Sequence, residues 1–415
     1  MQKTTARATA ERCIPSSILK QYKRLIEEYG TPLYAYDGKT LARGITEIRN
    51  AMPPETKIMP AAFSMGAIPG LMRFFTDRGC GIMCNSTTEV ELARRAGITP
   101  EKIILSASGL PAASIDYLVK NGIYVNLDSM AQIRKFALLG GRECGARVRL
   151  AVEPPASARA SAMGRHSRIG LEESKVVEVI AEAERLGVEI TGLHIYVGTN
   201  VLDYNELLRI FDYFLKFYQQ MPTRAREKIK FINVGGGFGV DYSGEGREFD
   251  FEAYGKEVGQ RLEGMNLEVV MEPGRAALAN AGALLVSVTD VKSYKEDGMN
   301  IVTVDSTSSH FARYHLYGEK HPIFAIGKLD EPLVFNAKIA GCTTLSLDYL
   351  GDTELPQVSE GDTIAIAMTG AYGYAMRSQF LNQLWPAVVL IDGDETRLIA
   401  RRQTVEDMAV LFVPL

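Results

Sequence analysis

Residues 230–239 read Lys-Phe-Ile-Asn-Val-Gly-Gly-Gly-Phe-Gly, a short apolar run that stops on three consecutive glycines. Short apolar runs suit buried parallel strands, and glycines let backbone N–H groups approach a ligand without a Cβ in the way. Further on, Leu267–Met271 repeats the pattern and ends on Glu272-Pro273-Gly274-Arg275, with a carboxylate and a guanidinium on one turn. Working back from these two strands, similar runs occur at Ile58–Ser64, Gly81–Cys84, Ile103–Ser106, Ile123–Asp128, Ala146–Val152 and Glu189–Val197. Amphipathic stretches separate them, among them Ser86–Ala96, Ser114–Lys120, Glu173–Leu186 and Tyr204–Gln220. Each parallel crossover needs a helix to carry the chain back, so alternating elements build a parallel sheet. Eight strands over about 215 residues suit a (β/α)8 TIM barrel, which typically takes ~250. A doubly wound open sheet is the alternative.

After Ala281 the texture becomes β-rich: Ala283–Lys292, Ile301–Asp305, Leu333–Ile339, Thr363–Met368, Pro386–Ile391 and Thr396–Arg402, with turn signals at Asp297-Gly298 and Asp392-Gly393. The fold expected is thus α/β: a barrel over residues 40–280 followed by a mostly-β, β-barrel-like domain over 281–415. The N-terminal segment, residues 1–39, contains the strand-like Pro32–Tyr36 and is expected to join the β-domain in part.

Composition excludes more than it selects. The 46 Lys and Arg against 50 Asp and Glu give a net charge of −4, which calls for neither nucleic acid nor an anionic membrane. No apolar run approaches the ~20 residues of a membrane helix, and Met1–Ile14 lacks the apolar stretch of a signal peptide. Five cysteines, Cys13, Cys80, Cys84, Cys144 and Cys342, are too sparse and odd in number for a disulfide framework, which points to the reducing cytoplasm. Cys80 and Cys84 have no second Cys or His pair nearby, so no metal site is expected.

In such a barrel the active site forms at the C-terminal ends of the strands, often with a phosphate held after strands 7 and 8. Gly235, Gly236 and Gly237 stand there, although a triple glycine alone is more often a tight turn. Arg275 could donate a bidentate bond to phosphate. Glu272 would stabilise a protonated ring nitrogen, the protonation that makes pyridoxal phosphate an electron sink. Strand 6 ends in His194-Ile195-Tyr196-Val197-Gly198-Thr199-Asn200, which by alternation puts His194 and Tyr196 on one face. Tyr196 could stack on a flat cofactor and Thr199 could bond its phosphate; equally, a Tyr and a His could simply close the core. Gly370-Ala371-Tyr372-Gly373 flanks an aromatic with glycines, and Cys342 sits between Gly341 and Thr343; each signal alone is weak.

Together these residues resemble the fold-type III, pyridoxal-phosphate-dependent amino-acid decarboxylases: the diaminopimelate and ornithine decarboxylases and their carrier-linked relatives. The resemblance runs from Thr31 to Glu406. It includes Thr31-Pro32-Leu33-Tyr34-Ala35-Tyr36-Asp37, Gly235–Tyr242, Glu272–Arg275, Cys342, Gly370–Gly373 and Arg401-Arg402-Gln403-Thr404-Val405-Glu406-Asp407. The stretch His194–Thr199 is similar to the variant in decarboxylases acting on aminoacyl carrier proteins of natural-product pathways; most relatives carry a stacking His at the Tyr196 position. The resemblance implies that Gly235–Gly237, Gly274, Arg275, Thr199 and Tyr372 hold the phosphate and Glu272 the ring nitrogen. It also implies a homodimer in which Cys342 reaches the partner subunit's site as a proton donor. Arg313, His315 and Tyr317 match a region that binds the distal end of the substrate. Arg313 would suit a distal carboxylate, or it is a solvated surface residue. His166 and Arg168 lie in the long loop after strand 5 and receive no role.

One departure outweighs these agreements. Relatives end strand 1 on a lysine that forms the Schiff base with the cofactor, and counting back from Gly79 puts Ser64 in that position. Its neighbours are Met65 and Gly66, and Met83 stands where relatives carry an Asp. Lys57, seven residues back, is roughly 23 Å away along an extended strand at ~3.3 Å per residue. Serine forms no imine, so the cofactor is expected to bind non-covalently. Three readings remain open. The first is a decarboxylase-like enzyme acting on an amine or amino acid, free or carrier-tethered. The second is a non-catalytic paralogue that binds ligand or dimerises with an active decarboxylase. The third is a site repurposed for chemistry without an imine.

Overall fold

The computed structural model describes residues 6–156, 167–294 and 299–413; the Asp297-Gly298 turn and His166 lie outside them. The chain forms two compact units. One comprises Gly44–Val240 and Glu248–Ala277; the other comprises the chain up to Arg43, Asp241–Arg247 and the chain from Leu278 onward.

The first unit is a parallel barrel of β1 (Lys57–Ile58), β2 (Ile82–Cys84), β3 (Ile103–Ser106), β4 (Tyr124–Leu127), β5 (Glu143–Arg149), β6 (Glu189–His194), β7 (Phe231–Asn233) and β8 (Glu268–Met271). Neighbouring strands pair in the order β1-β8-β7-β6-β5-β4-β3-β2. The amide of Gly81 to the carbonyl of Ile58 (3.0 Å), and that of Met83 to Pro60 (3.1 Å), close the ring between β1 and β2. Helices follow the strands, several opened by a side-chain cap: Ser86 for Thr87–Arg95, Ser129 for Met130–Leu138, Asp203 for Tyr204–Gln220 and Asp250 for Phe251–Leu262. Such caps satisfy amides that the first helical turn leaves without partners.

The first strand is shorter than its sequence suggests. The run Ile58–Ser64 stays extended only to Ala61, then winds into a 3-10 turn over Ala62–Met65 that ends on left-handed Gly66. Pro60 supplies no N–H to continue the ladder. Ser64 therefore sits in that turn, not at a strand tip.

Inside the barrel, Met59, Ala61, Met83, Ile104 and Val270 pack with Tyr124, Phe231 and Phe63. Small residues make way for larger neighbours: a Cβ on Gly192 would lie 2.3 Å from the Phe231 ring, and one on Gly145 would lie 2.0 Å from Asn126 Oδ1. Large and small inward residues thus interdigitate, as close packing of a barrel interior demands.

The second unit is a nine-stranded mixed sheet whose central path runs Tyr349–Leu355, Phe335–Ala340, Asn300–Val304, Gly282–Ser293, Leu33–Asp37, Ala387–Asp392, Glu395–Ala400. Ile323–Ala325 pairs with Thr363–Ile366, which joins Gly282–Ser293. Leu33–Asp37, from the N-terminal segment, lies antiparallel to Gly282–Ser293 and parallel to Ala387–Asp392. The helices Arg7–Cys13 and Ser16–Tyr29 precede it. Among the described residues no helix is long and apolar enough to cross a membrane.

His310 of this unit is buried, its Nδ1 3.3 Å from Ser306 Oγ. Burial pushes its pKa down to about 4, the Leu384 carbonyl pulling the other way. A histidine depressed in the folded state is protonated first in the unfolded chain, so stability is full above pH ~6.5 and falls as pH drops toward ~4. At 1.36 kcal/mol per unit the loss approaches about 3 kcal/mol. Urea midpoints at pH 7 and pH 5 are expected to differ less in a His310→Gln variant than in the natural chain; equal differences would show that His310 does not set the acid limb.

Candidate cofactor site at the barrel mouth

Side chains two residues apart on a strand face the same way. One step beyond the apolar layer, the inward positions therefore carry Ser106, Asn126, Arg147, His194, Asn233 and Glu272. The ladder registers them: Ser106 opposite Asn126, Arg147 opposite His194, and His194 opposite Asn233. Asn126 Nδ2 donates to Ser106 Oγ (2.8 Å), and Ser106 Oγ lies 3.5 Å from Glu272 Oε1. Asn233 Nδ2 donates to the same Glu272 oxygen at 2.7 Å. The second oxygen of Glu272 has His194 Nε2 at 3.5 Å, beyond normal hydrogen-bond length.

Burial penalises the charge on Glu272, but His194, the Asn233 amide and Arg147 outweigh it and hold the carboxyl below its ordinary range. Burial depresses His194 despite the neighbouring carboxylate. It also lowers Arg147, partly offset by Glu272 and Asp128. Glu272 is thus an anion in the barrel interior, and neither ring nitrogen of His194 has an aligned hydrogen bond among the described residues. A buried carboxylate is stable only when paired and bonded. Its lightly contacted oxygen and the idle imidazole beside it suit a cationic ring N–H.

The glycine turn is enforced by its neighbours. A Cβ on Gly235 would meet the carbonyl of Ile195 at 2.5 Å, one on Gly236 that of Glu272 at 2.5 Å, and one on Gly237 that of Gly198 at 2.3 Å. The Gly235 amide already donates to Asn233 Oδ1 (2.9 Å). Of the three amides expected for a phosphate, those of Gly236 and Gly237 are the ones without a protein acceptor among the described residues. Arg275 is buried and its Nη2 donates to Thr199 Oγ1 at 3.4 Å. Burial raises the Tyr196 phenol, opposed by a hydrogen bond with Thr199 and by the Arg275 and Arg147 charges. The Arg147 guanidinium lies 5.9 Å from the Tyr196 ring centroid.

The structure therefore brings together Tyr196, Thr199, Gly235–Gly237, Glu272, Gly274 and Arg275, residues that the sequence singled out. It adds Ser106, Asn126, Arg147 and Asn233, which the sequence reading missed. Counting two residues forward from the inward Ile104, Tyr124 and Phe231 would have found three of them, and counting back from Gly235 finds Asn233 again. Ser64 is wholly buried and its Oγ donates to the Ala61 carbonyl (2.6 Å).

The other candidates, Arg168 excepted, belong to the second unit. Arg313 is not a solvated surface residue: it is buried, ion-paired with buried Glu319, and its guanidinium lies 5.3 Å from the Tyr372 ring centroid. A distal carboxylate would have to compete with Glu319. Tyr317 is exposed, and so is His315, whose Nδ1 is 3.1 Å from the Leu347 carbonyl. Cys342 is exposed on the loop after Phe335–Ala340. Partial enclosure, then the Asp348 and Asp305 charges, raise its thiol, so it carries its proton at neutral pH. Arg168 is exposed. Among the described residues no group of three or more His, Cys, Asp or Glu is placed to hold a metal.

Fold and site define a barrel suited to a phosphorylated pyridine. Residues 40–279 match the family described as "Pyridoxal-dependent decarboxylase, pyridoxal binding domain". Diaminopimelate decarboxylase of Helicobacter pylori strain J99 is 26% identical over 396 residues, covering 93% of this chain and 96% of its own. That of Neisseria meningitidis serogroup A is 29% identical over 393 residues, covering 93% and 95%. A crystal structure of diaminopimelate decarboxylase from Helicobacter pylori complexed with L-lysine superposes with a TM-score of 0.87 at 25% identity, covering 94% of this chain and 98% of that one. The chain belongs to the pyridoxal-dependent decarboxylases, carbon–carbon lyases whose cofactor is pyridoxal 5'-phosphate.

Proposed function

We propose that this protein binds pyridoxal 5'-phosphate without a covalent bond and acts as a decarboxylase on an amino acid, free or tethered to a carrier protein. The observation that carries this reading is Glu272: an ionised carboxylate in the barrel interior, beside an idle imidazole, is matched by a protonated pyridine nitrogen. When bound, the cofactor supplies an electron sink for a carbanion. The chain's own residues do the rest. Gly236, Gly237 and Arg275 with Thr199 would hold the phosphate, Glu272 would keep the ring nitrogen protonated, and Tyr196 would cover the ring. Asn233 holds Glu272 in place with one end of its amide and the Gly235 amide with the other.

By resemblance, Cys342 would deliver a proton to the product from the partner subunit of a homodimer, and Tyr372 would close the phosphate site. Arg313, His315 and Tyr317 would meet the distal end of the substrate. A cytoplasmic location fits the free thiols. The curated relatives named above are diaminopimelate decarboxylases, so diaminopimelate, lysine and ornithine head the substrate panel.

Incubation with pyridoxal phosphate is expected to give the free-aldehyde spectrum, and borohydride is expected to leave no cofactor on the polypeptide by mass. A lysyl adduct would overturn the placement of Ser64. Carbon dioxide release from free and carrier-tethered amino acids separates enzyme from non-catalytic paralogue. The departures at Met65, Gly66 and Met83, beside that at Ser64, favour the second of these. Release seen only after Ser64→Lys would decide for it.

A further inference from the structure

Arg313 and Glu319 form an ion pair in which both side chains are buried. A single short turn builds it. The helix Arg313–Tyr317 ends on Gly318, whose φ of +60° turns the chain back, and the Glu319 amide then donates to the Arg313 carbonyl at 3.4 Å. Glycine takes that left-handed conformation without the penalty of a Cβ. Glu319 is therefore tied to Arg313 through the backbone as well as through charge.

The other neighbours of this guanidinium are soft or aromatic. Its Nη1 is 3.7 Å from Met376 Sδ, and the Tyr372 and Tyr317 ring centroids lie 5.3 and 5.6 Å from its carbon. Tyr372 holds a φ of +61°, a conformation that non-glycine residues seldom adopt and that concentrates at ligand sites. Two further cations of the same unit are engaged as well. Lys320 Nζ bonds Asp352 at 2.7 Å, and the Arg377 guanidinium lies over the rings of Tyr374 and Trp385 at 3.8 and 4.2 Å.

A ligand carboxylate arriving at Arg313 would thus meet a charge already cancelled. It would give up its water, and the attraction of the guanidinium would be offset by repulsion from Glu319. It would also compete with an acid that the chain holds at high effective concentration. An apolar or cationic end meets no such repulsion.

We infer that Glu319 sets the substrate class: by holding Arg313 it turns the site against amino acids that end in a second carboxylate. The inference rests on the reading of Arg313 and Tyr317 as residues that meet the distal end of the substrate at a pyridoxal phosphate site. Of the substrates named above, it selects lysine and ornithine over diaminopimelate.

The test is calorimetric titration of the full chain, purified free of coenzyme, with two stable reduced conjugates. These are the N-(5'-phosphopyridoxyl) derivatives of L-2-aminoadipate and L-norleucine, which share a six-carbon chain and differ in the carboxylate or methyl at its far end. On the natural chain the aminoadipate conjugate is expected to bind roughly tenfold more weakly. Glu319→Gln keeps the size of the side chain and removes its charge. In that variant the aminoadipate conjugate is expected to gain roughly tenfold to a hundredfold relative to the other, the worth of a hydrogen bond to a charged group.

An aminoadipate conjugate that binds the natural chain as tightly as the norleucine conjugate, or more so, overturns the inference. A ratio that Glu319→Gln does not move overturns it too, and both results leave the cofactor site standing. Binding of neither probe overturns the cofactor reading itself, and this inference with it. If Glu319→Gln does not fold, the double variant Arg313→Met/Glu319→Leu removes both charges together, a change that buried pairs often tolerate. There the natural ratio is expected to persist. A further tenfold loss for the aminoadipate conjugate would show that Arg313 attracts a carboxylate in spite of Glu319, and would overturn the inference.

Discussion

Glu272→Ala is expected to weaken pyridoxal phosphate binding by a hundredfold or more, measured by calorimetric titration, and to abolish any carbon dioxide release. Truncating one partner of a buried charged pair typically costs about 2–5 kcal/mol, and about 2.7 kcal/mol is a hundredfold. The effect on stability should be far smaller. Without ligand, Glu272 is a buried anion stabilised by His194, the Asn233 amide and Arg147. Removing it also removes its desolvation penalty. Glu272→Gln separates charge from shape, since an amide can still accept from Asn233 but cannot balance a pyridinium. Unchanged affinity in both variants would mean that the coenzyme does not present its ring nitrogen to this carboxylate.

Gly237→Ala is expected to cost more stability than any other single methyl group added at the mouth. Its φ of +103° disfavours an L side chain, and the new Cβ would lie 2.3 Å from the backbone oxygen of Gly198. Strain of about 1–3 kcal/mol and overpacking of about 1–3 kcal/mol act together. At roughly 2–4 °C per kcal/mol for a unit this size, the melting midpoint should fall by on the order of 10 °C. Gly259→Ala is the control: it lies within the helix Phe251–Leu262, and its Cβ would meet only Pro53 at 3.6 Å. That change should leave the midpoint level or slightly raised. An equal, small effect at both sites would show that the turn yields easily and that no rigid cradle exists there.

The barrel was legible because buried parallel strands are short apolar runs, and turns after strands 7 and 8 carry conspicuous glycines and charges. Other elements escaped for physical reasons. The first strand reads as a run of seven residues, six of them apolar, yet beyond Ala61 it winds into the 3-10 turn Ala62–Met65 that holds Ser64. Tyr349–Leu355 is too mixed in polarity to declare itself a strand, and its place beside Phe335–Ala340 comes from pairing. Asn126 and Arg147 are polar residues within runs that look like core, and only the closure of the sheet reveals that they converge on Glu272. Arg313 could not be placed because its partner Glu319 lies beyond the short helix Arg313–Tyr317, brought back by left-handed Gly318.

The strand Leu33–Asp37 has a consequence for how the molecule is made. Its two neighbours, Gly282–Ser293 and Ala387–Asp392, leave the ribosome some 250 and 350 residues after it. The barrel unit from Gly44 to Ala277 emerges complete in between and can fold first, whereas the sheet must hold one unpaired edge segment until translation is nearly over. Ribosome-stalled chains halted near residue 340 should therefore carry a protease-resistant barrel behind an N-terminal segment that is still cleaved.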